Sequence, residues 1–161
     1  TTGFAAGAPR ARARGVVIQT AFPGDVILTT PLIRRAAERL KSPVDVVVIP
    51  AAAPALANNP SIRDVVLFDK KGKDKGLAGT WRMVKLLRTR RYDVSYHAQA
   101  SARSALLALL ARIPRRIGFR DAPGAFLYTH AVGGRLEPHQ VERLLQLADG
   151  APDRRDGQRA K

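Results

Sequence analysis

The stretch QTAFPGDVILTTPLIRRAAERL, Gln19 to Leu40, places an acid, Asp25, directly behind a Pro-Gly pair, and the next acid is Glu38. A carboxylate there has two uses. In the first turn of a helix it is favoured by the macrodipole, by about 0.3–1 kcal/mol. Facing a cleft without a cationic partner, it can instead take a proton from a hydroxyl as a general base. Spacing leaves both readings open. Gly24, just before it, permits a tight and unusual backbone after a strand. Neither G-x-G-x-x-G nor G-x-x-x-x-G-K-[ST] occurs, so this is no phosphate-binding glycine loop.

Three further stretches carry charge. FDKKGKDKG, Phe68 to Gly76, has Lys70, Lys71, Lys73 and Lys75 between glycines. It reads as a solvated charged loop, or as a flexible arm that grips an anion with mobile point charges. In HAQASARSALLALL, Ser101 suits a helix cap, with Arg103 and Ser104 in the first turn. Such a terminus can hold an anion, and ordinary capping is the plainer alternative, with His97 a strand-end histidine bonded to backbone. Arg112, Arg115, Arg116 and Arg120 gather four guanidinium groups around a short strand. No Ser/His/Asp set has a spacing that supports a triad.

These groups need a scaffold. GVVIQT (15–20), DVVVIP (45–50), DVVLF (64–68) and YDVSYHA (92–98) are apolar runs of the kind buried on both faces, and RRIGF (115–119) is a weaker fifth strand. Between them, residues 27–40, 77–90, 101–112 and 138–148 have helical periodicity. Leu28, Leu32, Ala36 and Leu40 line one face of the first, and Trp81, Val84, Leu86 and Leu87 fall together in the second. Pro31 either starts the first helix behind Thr30 as cap or bends a helix that begins near Asp25. Strand and helix in alternation predict an α/β fold, a parallel sheet with helices on both faces, whose ligands sit at the carboxyl ends of the strands.

The 161 residues suit one domain, with 45% hydrophobic residues and a net charge of +15. That excess favours an anionic partner: nucleic acid, a membrane surface or a phosphorylated substrate. Aromatics are only 6%, with no stacking pattern and no densely basic recognition helix, which argues against nucleic acid. The chain has no cysteine, which excludes disulfides and a thiol nucleophile. Its three histidines, His97, His130 and His139, lack close zinc-ligand spacing, so no metal site is expected. The longest apolar run, ALLALLA, is far short of the roughly 20 residues a membrane span needs. The expected organisation is a disordered lead over 1–14, a Rossmann-like domain over 15–148 and a disordered polar tail over 149–161.

QTAFPGDVILTTPLIRR, FDKKGKDKG, RYDV, SARSALLA, RRIGF with APGAFLYT, and HQVERLL, in this order, resemble the lipopolysaccharide heptosyltransferases of glycosyltransferase family 9, in their heptosyltransferase II-like branch. The resemblance runs from about Val16 to Leu147. It implies the N-terminal, acceptor-side domain of a GT-B enzyme, which moves heptose from ADP-heptose to the lipopolysaccharide inner core with inversion and no metal or other cofactor. It implies Asp25 as the base on the acceptor hydroxyl, with Gly24, Lys70, Lys71, Lys73, Arg103 and Arg120 meeting the anionic acceptor. It further implies a cytoplasmic protein in peripheral contact with the inner face of the cytoplasmic membrane, with no nucleic-acid partner. Two departures stand out. Pro23 precedes the Gly-Asp pair, where the family usually has Leu, Ile or another non-proline residue; proline there fixes φ and removes a donor. The polar ending DGAPDRRDGQRAK is unlike the family, and the C-terminal nucleotide-sugar domain is absent, so the chain alone is expected to be inactive. The alternatives are a non-catalytic domain binding anionic glycolipid headgroups, indifferent to Asp25, and a basic nucleic-acid-binding module.

Overall fold

The computed structural model describes residues 13–133 and 140–149. Six strands form one sheet: β1 (Gly15–Ile18), β2 (Val44–Val48), β3 (Ile62–Leu67), β4 (Val94–His97), β5 (Arg115–Phe119) and β6 (His130–Val132). Their order is β3-β2-β1-β4-β5-β6, and every pairing is parallel. The helices are α1 (Pro23–Leu40), α2 (Gly76–Arg90), α3 (Ala102–Leu110) and α4 (Gln140–Asp149), joined by 3-10 segments at Pro50–Leu56 and Ala125–Leu127.

Parallel strands crossed over by helices are covered on both faces. Every residue of β1 and β2 is accordingly buried. Side chains alternate between the two faces. Val17, Val46 and Val48 join Leu32, Ile33, Leu144 and Leu147 in the cluster beneath α1 and α4. Val16, Ile18 and Val47 join Met83, Val84, Leu87 and Leu107 beneath α2 and α3. The chain is thus a Rossmann-like α/β domain, as its alternating pattern predicts.

All five expected strands are present, RRIGF with the bounds read from the sequence. The sixth, HAV, is too short for periodicity to reveal. In α1 the alternative with Pro31 inside the helix holds. Pro31 has no N–H for the Ile27 carbonyl, and the Thr30 hydroxyl donates to that oxygen instead, at 2.7 Å. In α2 the buried side is Gly79, Met83, Val84 and Leu87, while Trp81 and Leu86 face outward, contrary to the expected grouping. Ser101 caps α3 as expected, its hydroxyl accepting from the Ser104 N–H at 3.4 Å.

At the ends, the Arg14 N–H donates to the Asp93 carboxylate at 2.7 Å, and Asp149 closes α4 while pairing with Arg35 and Arg39 at 2.9 and 2.8 Å. Residues 14 and 149, expected to lie in the lead and the tail, are thus among the described residues and make these contacts. The remainder of the expected lead and tail, 1–12 and 150–161, lies outside the described residues, as do Pro138 and His139. No helix among the described residues is long and apolar enough to cross a membrane.

Candidate active site

The strand order reverses between β1 and β4. Their following segments leave towards opposite faces, which opens a crevice at their carboxyl ends. Asp25 lies at its edge, in the first turn of α1. Phe22 is the N-cap, in an extended conformation and without a side-chain cap, and Pro23 is the first helical residue. That position needs no N–H and suits the fixed φ of proline. Pro23 therefore starts the helix cleanly and does not distort a loop. Gly24 is helical, is not among the positive-φ glycines, and a Cβ there would meet nothing within 4 Å. Its expected unusual backbone is not found.

The placing of Asp25 is enforced from beneath. Gln19, buried just past β1, donates from Nε2 to Thr29 Oγ1 at 3.1 Å, and Thr29 donates to the Asp25 carbonyl at 2.7 Å. The Gln19 side-chain oxygen accepts the Ala21 N–H at 3.3 Å. One glutamine thus ties the strand end, the connecting turn and the first helical turn together. Among the described residues, the half-buried Asp25 carboxylate makes no hydrogen bond or ion pair. It lines a cleft of about 410 Å³ with Gln19, Gln99, Phe119, Gln140 and Arg143. Arg143 is already engaged there: its guanidinium donates to Asp121 at 2.6 Å and lies over the Phe119 ring at 4.3 Å.

A second cleft, of about 400 Å³, lies on the β3 side and is lined by Phe22, Ile49, Pro50, Asp69, Lys70 and Lys71, among others. Gln99 and Ala21 border both clefts. The lysine loop beside it is a closed turn and not a loose arm. The Asp69 carbonyl accepts the N–H groups of Gly72 and Asp74 at 3.1 and 2.9 Å, and the buried Asp74 carboxylate accepts the Asp69 N–H at 3.0 Å. Partial burial, then the positive charges of Arg103 and Lys71, lower the Lys70 pKa, so the ammonium gains from a bound anion.

The expected site residues do not form one constellation. Asp25 borders one cleft, Lys70 and Lys71 the other, and Lys70 senses Arg103 electrostatically. Arg103 donates to Thr80 at 2.8 Å and lies 5.5 Å from the Phe68 ring. Lys73 is exposed at the tip of the turn, and exposed Arg120 bonds its guanidinium to the Ala131 carbonyl at 3.5 Å. Gly24, Lys73, Arg103 and Arg120 border neither cleft.

The sequence reading missed Gln19, Thr20, Thr29 and Gln99. For Gln19, Thr20 and Gln99 a polar residue just past an apolar strand was the available signal; Thr29, inside α1, carried none. His97 is fully buried and bonded to Ser95 Oγ at 2.9 Å, a side-chain partner where backbone was expected. Burial, then Arg116, lower its pKa to about 3.

Fold and crevice define a Rossmann-like α/β domain of the kind found in GT-B glycosyltransferases. Residues 80–159 match the sequence model of glycosyltransferase family 9 (heptosyltransferase). The match begins after the Gly-Asp and lysine-loop motifs and runs into the polar ending that the sequence reading had set apart from the family. Among solved structures, the ADP-heptose lipopolysaccharide heptosyltransferase II of E. coli superposes with a TM-score of 0.71 at 27% identity, over 88% of this chain and 42% of that one. A family 9 glycosyl transferase from Veillonella parvula gives 0.79 at 21% identity, over 88% and 42%. The E. coli heptosyltransferase WaaC with ADP gives 0.70 at 19%, over 86% and 47%. No curated protein sequence matches significantly. Over residues 80–159 the chain resembles glycosyltransferase family 9 (heptosyltransferase), and its fold is the one these solved structures share. It spans less than half the length of each of these solved structures.

Proposed function

We propose that this chain is the acceptor-side domain of an inverting heptosyltransferase, which passes heptose from ADP-heptose to the inner core of lipopolysaccharide. The observation that carries this reading is Asp25, whose carboxylate has no partner among the described residues and borders the crevice at the switch point. There it takes the proton of the acceptor hydroxyl as that oxygen attacks the anomeric carbon, and ADP leaves with the electron pair of the broken bond. No residue of 15–148 is assigned to the nucleotide sugar. That role falls to a second domain, and these residues alone bind acceptor without transferring heptose. Lys70 and Lys71, with Arg103 behind them, meet the acceptor's phosphates and acidic sugars, and Gly24, Lys73 and Arg120 add to the acceptor surface. The protein works in the cytoplasm, against the inner face of the cytoplasmic membrane.

The test is Asp25→Asn in the enzyme joined to its nucleotide-sugar domain, with ADP release measured. Turnover should fall by about 10²–10⁴-fold, the usual contribution of a general base, at nearly unchanged acceptor KM. Turnover near wild type rejects the assignment. A second reading, a non-catalytic glycolipid-binding domain, is favoured by one observation: the Lys70 cleft is separate from the Asp25 cleft. It predicts acceptor binding that ignores Asp25→Asn and no transfer in any assembly.

A further inference from the structure

The outer face of the α2–α3 layer has its own chemistry. Residues 76–91 and 102–112 contain seven arginines and lysines and no acid. The two helices run side by side in one direction. Arg103 donates to Thr80 at 2.8 Å near both N-termini, and Arg88 donates to the Leu110 carbonyl at 2.7 Å near both C-termini. Along this pair Leu77 is 89% exposed, Trp81 46% and Leu106 43%. The Lys85 ammonium and the Arg88 guanidinium lie 5.9 and 5.8 Å from the centre of the Trp81 ring. Within this layer Arg90 pairs with Asp45 and Asp64 and Arg82 lies 3.8 Å from Asp74, whereas Lys85, Arg88 and Arg103 have no acid partner among the described residues. On the opposite layer Arg34 pairs with Glu38, and both Arg35 and Arg39 with Asp149.

Aliphatic side chains and an indole, beside Lys85, Arg88 and Arg103, match one kind of surface. Hydrocarbon and the headgroup boundary receive leucine and tryptophan, while anionic headgroups meet lysine and arginine. Nucleic acid would satisfy the charge and leave Leu77 and Leu106 in water. We propose that the α2–α3 face docks this domain on an anionic lipid bilayer, with Leu77 and Trp81 entering the headgroup region. The inference deepens the acceptor reading above and rests on it for one point, the direction of approach. Leu77 follows the lysine turn in sequence, so a bilayer on this face brings a lipid-anchored saccharide to the Lys70 cleft.

Trp81 is the sole tryptophan and therefore a built-in reporter. The full chain is sedimented with phosphatidylcholine vesicles, with and without phosphatidylglycerol, while indole emission is followed. Binding is expected only with the anionic lipid, with a blue shift and with weakening by salt. For the exposed pair Leu77→Ser and Trp81→Ser, vesicle partitioning should fall roughly tenfold at an unchanged melting temperature. Arg34→Ala on the opposite layer should bind as wild type. The inference is overturned if the double variant binds vesicles like wild type, if the indole does not shift, or if the face proves to be buried by self-association in sedimentation equilibrium. Preferential binding to duplex DNA, insensitive to the double substitution, overturns it as well. Soluble core oligosaccharide, free of lipid, separates the two readings by calorimetry. If the wild type fails to bind it, the acceptor reading falls while the vesicle result still decides docking.

Discussion

The Thr20 hydroxyl donates to the Gln99 side-chain oxygen at 2.5 Å, across the point where β1 and β4 part. This contact is the wall between the two clefts, because Gln99 borders both and Thr20 borders the lysine side. The Asp25 cleft and the lysine cleft thus share one divider built from the residues just past two strand ends. A ligand that reaches both must cross it.

Thr20→Val removes the donor with little change of shape and leaves the Gln99 amide without its anchor. The expected loss is about 0.5–1.5 kcal/mol in urea unfolding, the usual net worth of such a bond. Affinity for core oligosaccharide should change as well, and Thr20→Ser should restore both. A variant identical to wild type in midpoint and affinity removes the divider from the account.

His97 makes stability depend on pH. Its Nε2 meets Ser95, its Nδ1 has no partner among the described residues, and its ring centre is 5.0 Å from that of Tyr128. Burial, then the Arg116 charge, lower its pKa from 6.5 to about 3. Between these values the unfolded chain binds the proton and the folded one does not. The contribution is therefore complete above pH 6.5 and is lost as pH falls towards 3, by at most about 1.4 kcal/mol per pH unit. Urea midpoints should decline from about pH 6.5 to pH 4, and His97→Gln should flatten that decline. A wild-type midpoint constant over this range contradicts neutral burial.

Much of this frame was legible in the sequence. GVVI and VDVVV read as two-sided strands because no polar residue interrupts the packing, and Asp25 stood out as an acid behind a turn. What escaped was set by partners far along the chain. Gln99 acts through Thr20, 79 residues away, and Trp81 turned outward because Gly79 and Met83 take the packed side. Periodicity sees spacing along a helix and not which neighbour claims which face.

Asp45 is fully buried on β2, at the sheet end opposite the clefts. Its carboxylate accepts from Arg63 at 2.9 and 2.7 Å, from Arg90 at 3.1 Å and from the Tyr92 hydroxyl. Burial raises its pKa, but the bonds from Arg63, Tyr92 and Arg90 outweigh burial and hold it below the usual carboxylate value. With the folded pKa depressed, this stabilisation is complete above about pH 4 and is lost as pH falls further. Asp45→Ala should cost about 3 kcal/mol, the low end for a broken buried pair because both arginines reach water, and should remove this acid-side loss. A cost below about 1 kcal/mol in urea unfolding shows the arginines to be fully resolvated.

Gly79 is where α2 touches the lysine turn. A Cβ there would lie 2.0 Å from the Asp74 carbonyl oxygen, and backbone on both sides leaves no flexible side chain to yield. Asp74 must therefore retreat in Gly79→Ala, taking with it the carboxylate that holds the Asp69 N–H and so the base of the turn carrying Lys70 and Lys71. Overpacking of this kind costs about 1–3 kcal/mol. Amide exchange should quicken over residues 69–75 while β1 and β4 stay protected, since the sheet does not depend on this contact. Oligosaccharide affinity should fall with it, because the cations lose their fixed placing beside the cleft. If exchange quickens and affinity holds, the lysine turn is not where the acceptor's charge is met. If neither changes, α2 has shifted instead, and the turn keeps its shape without the glycine.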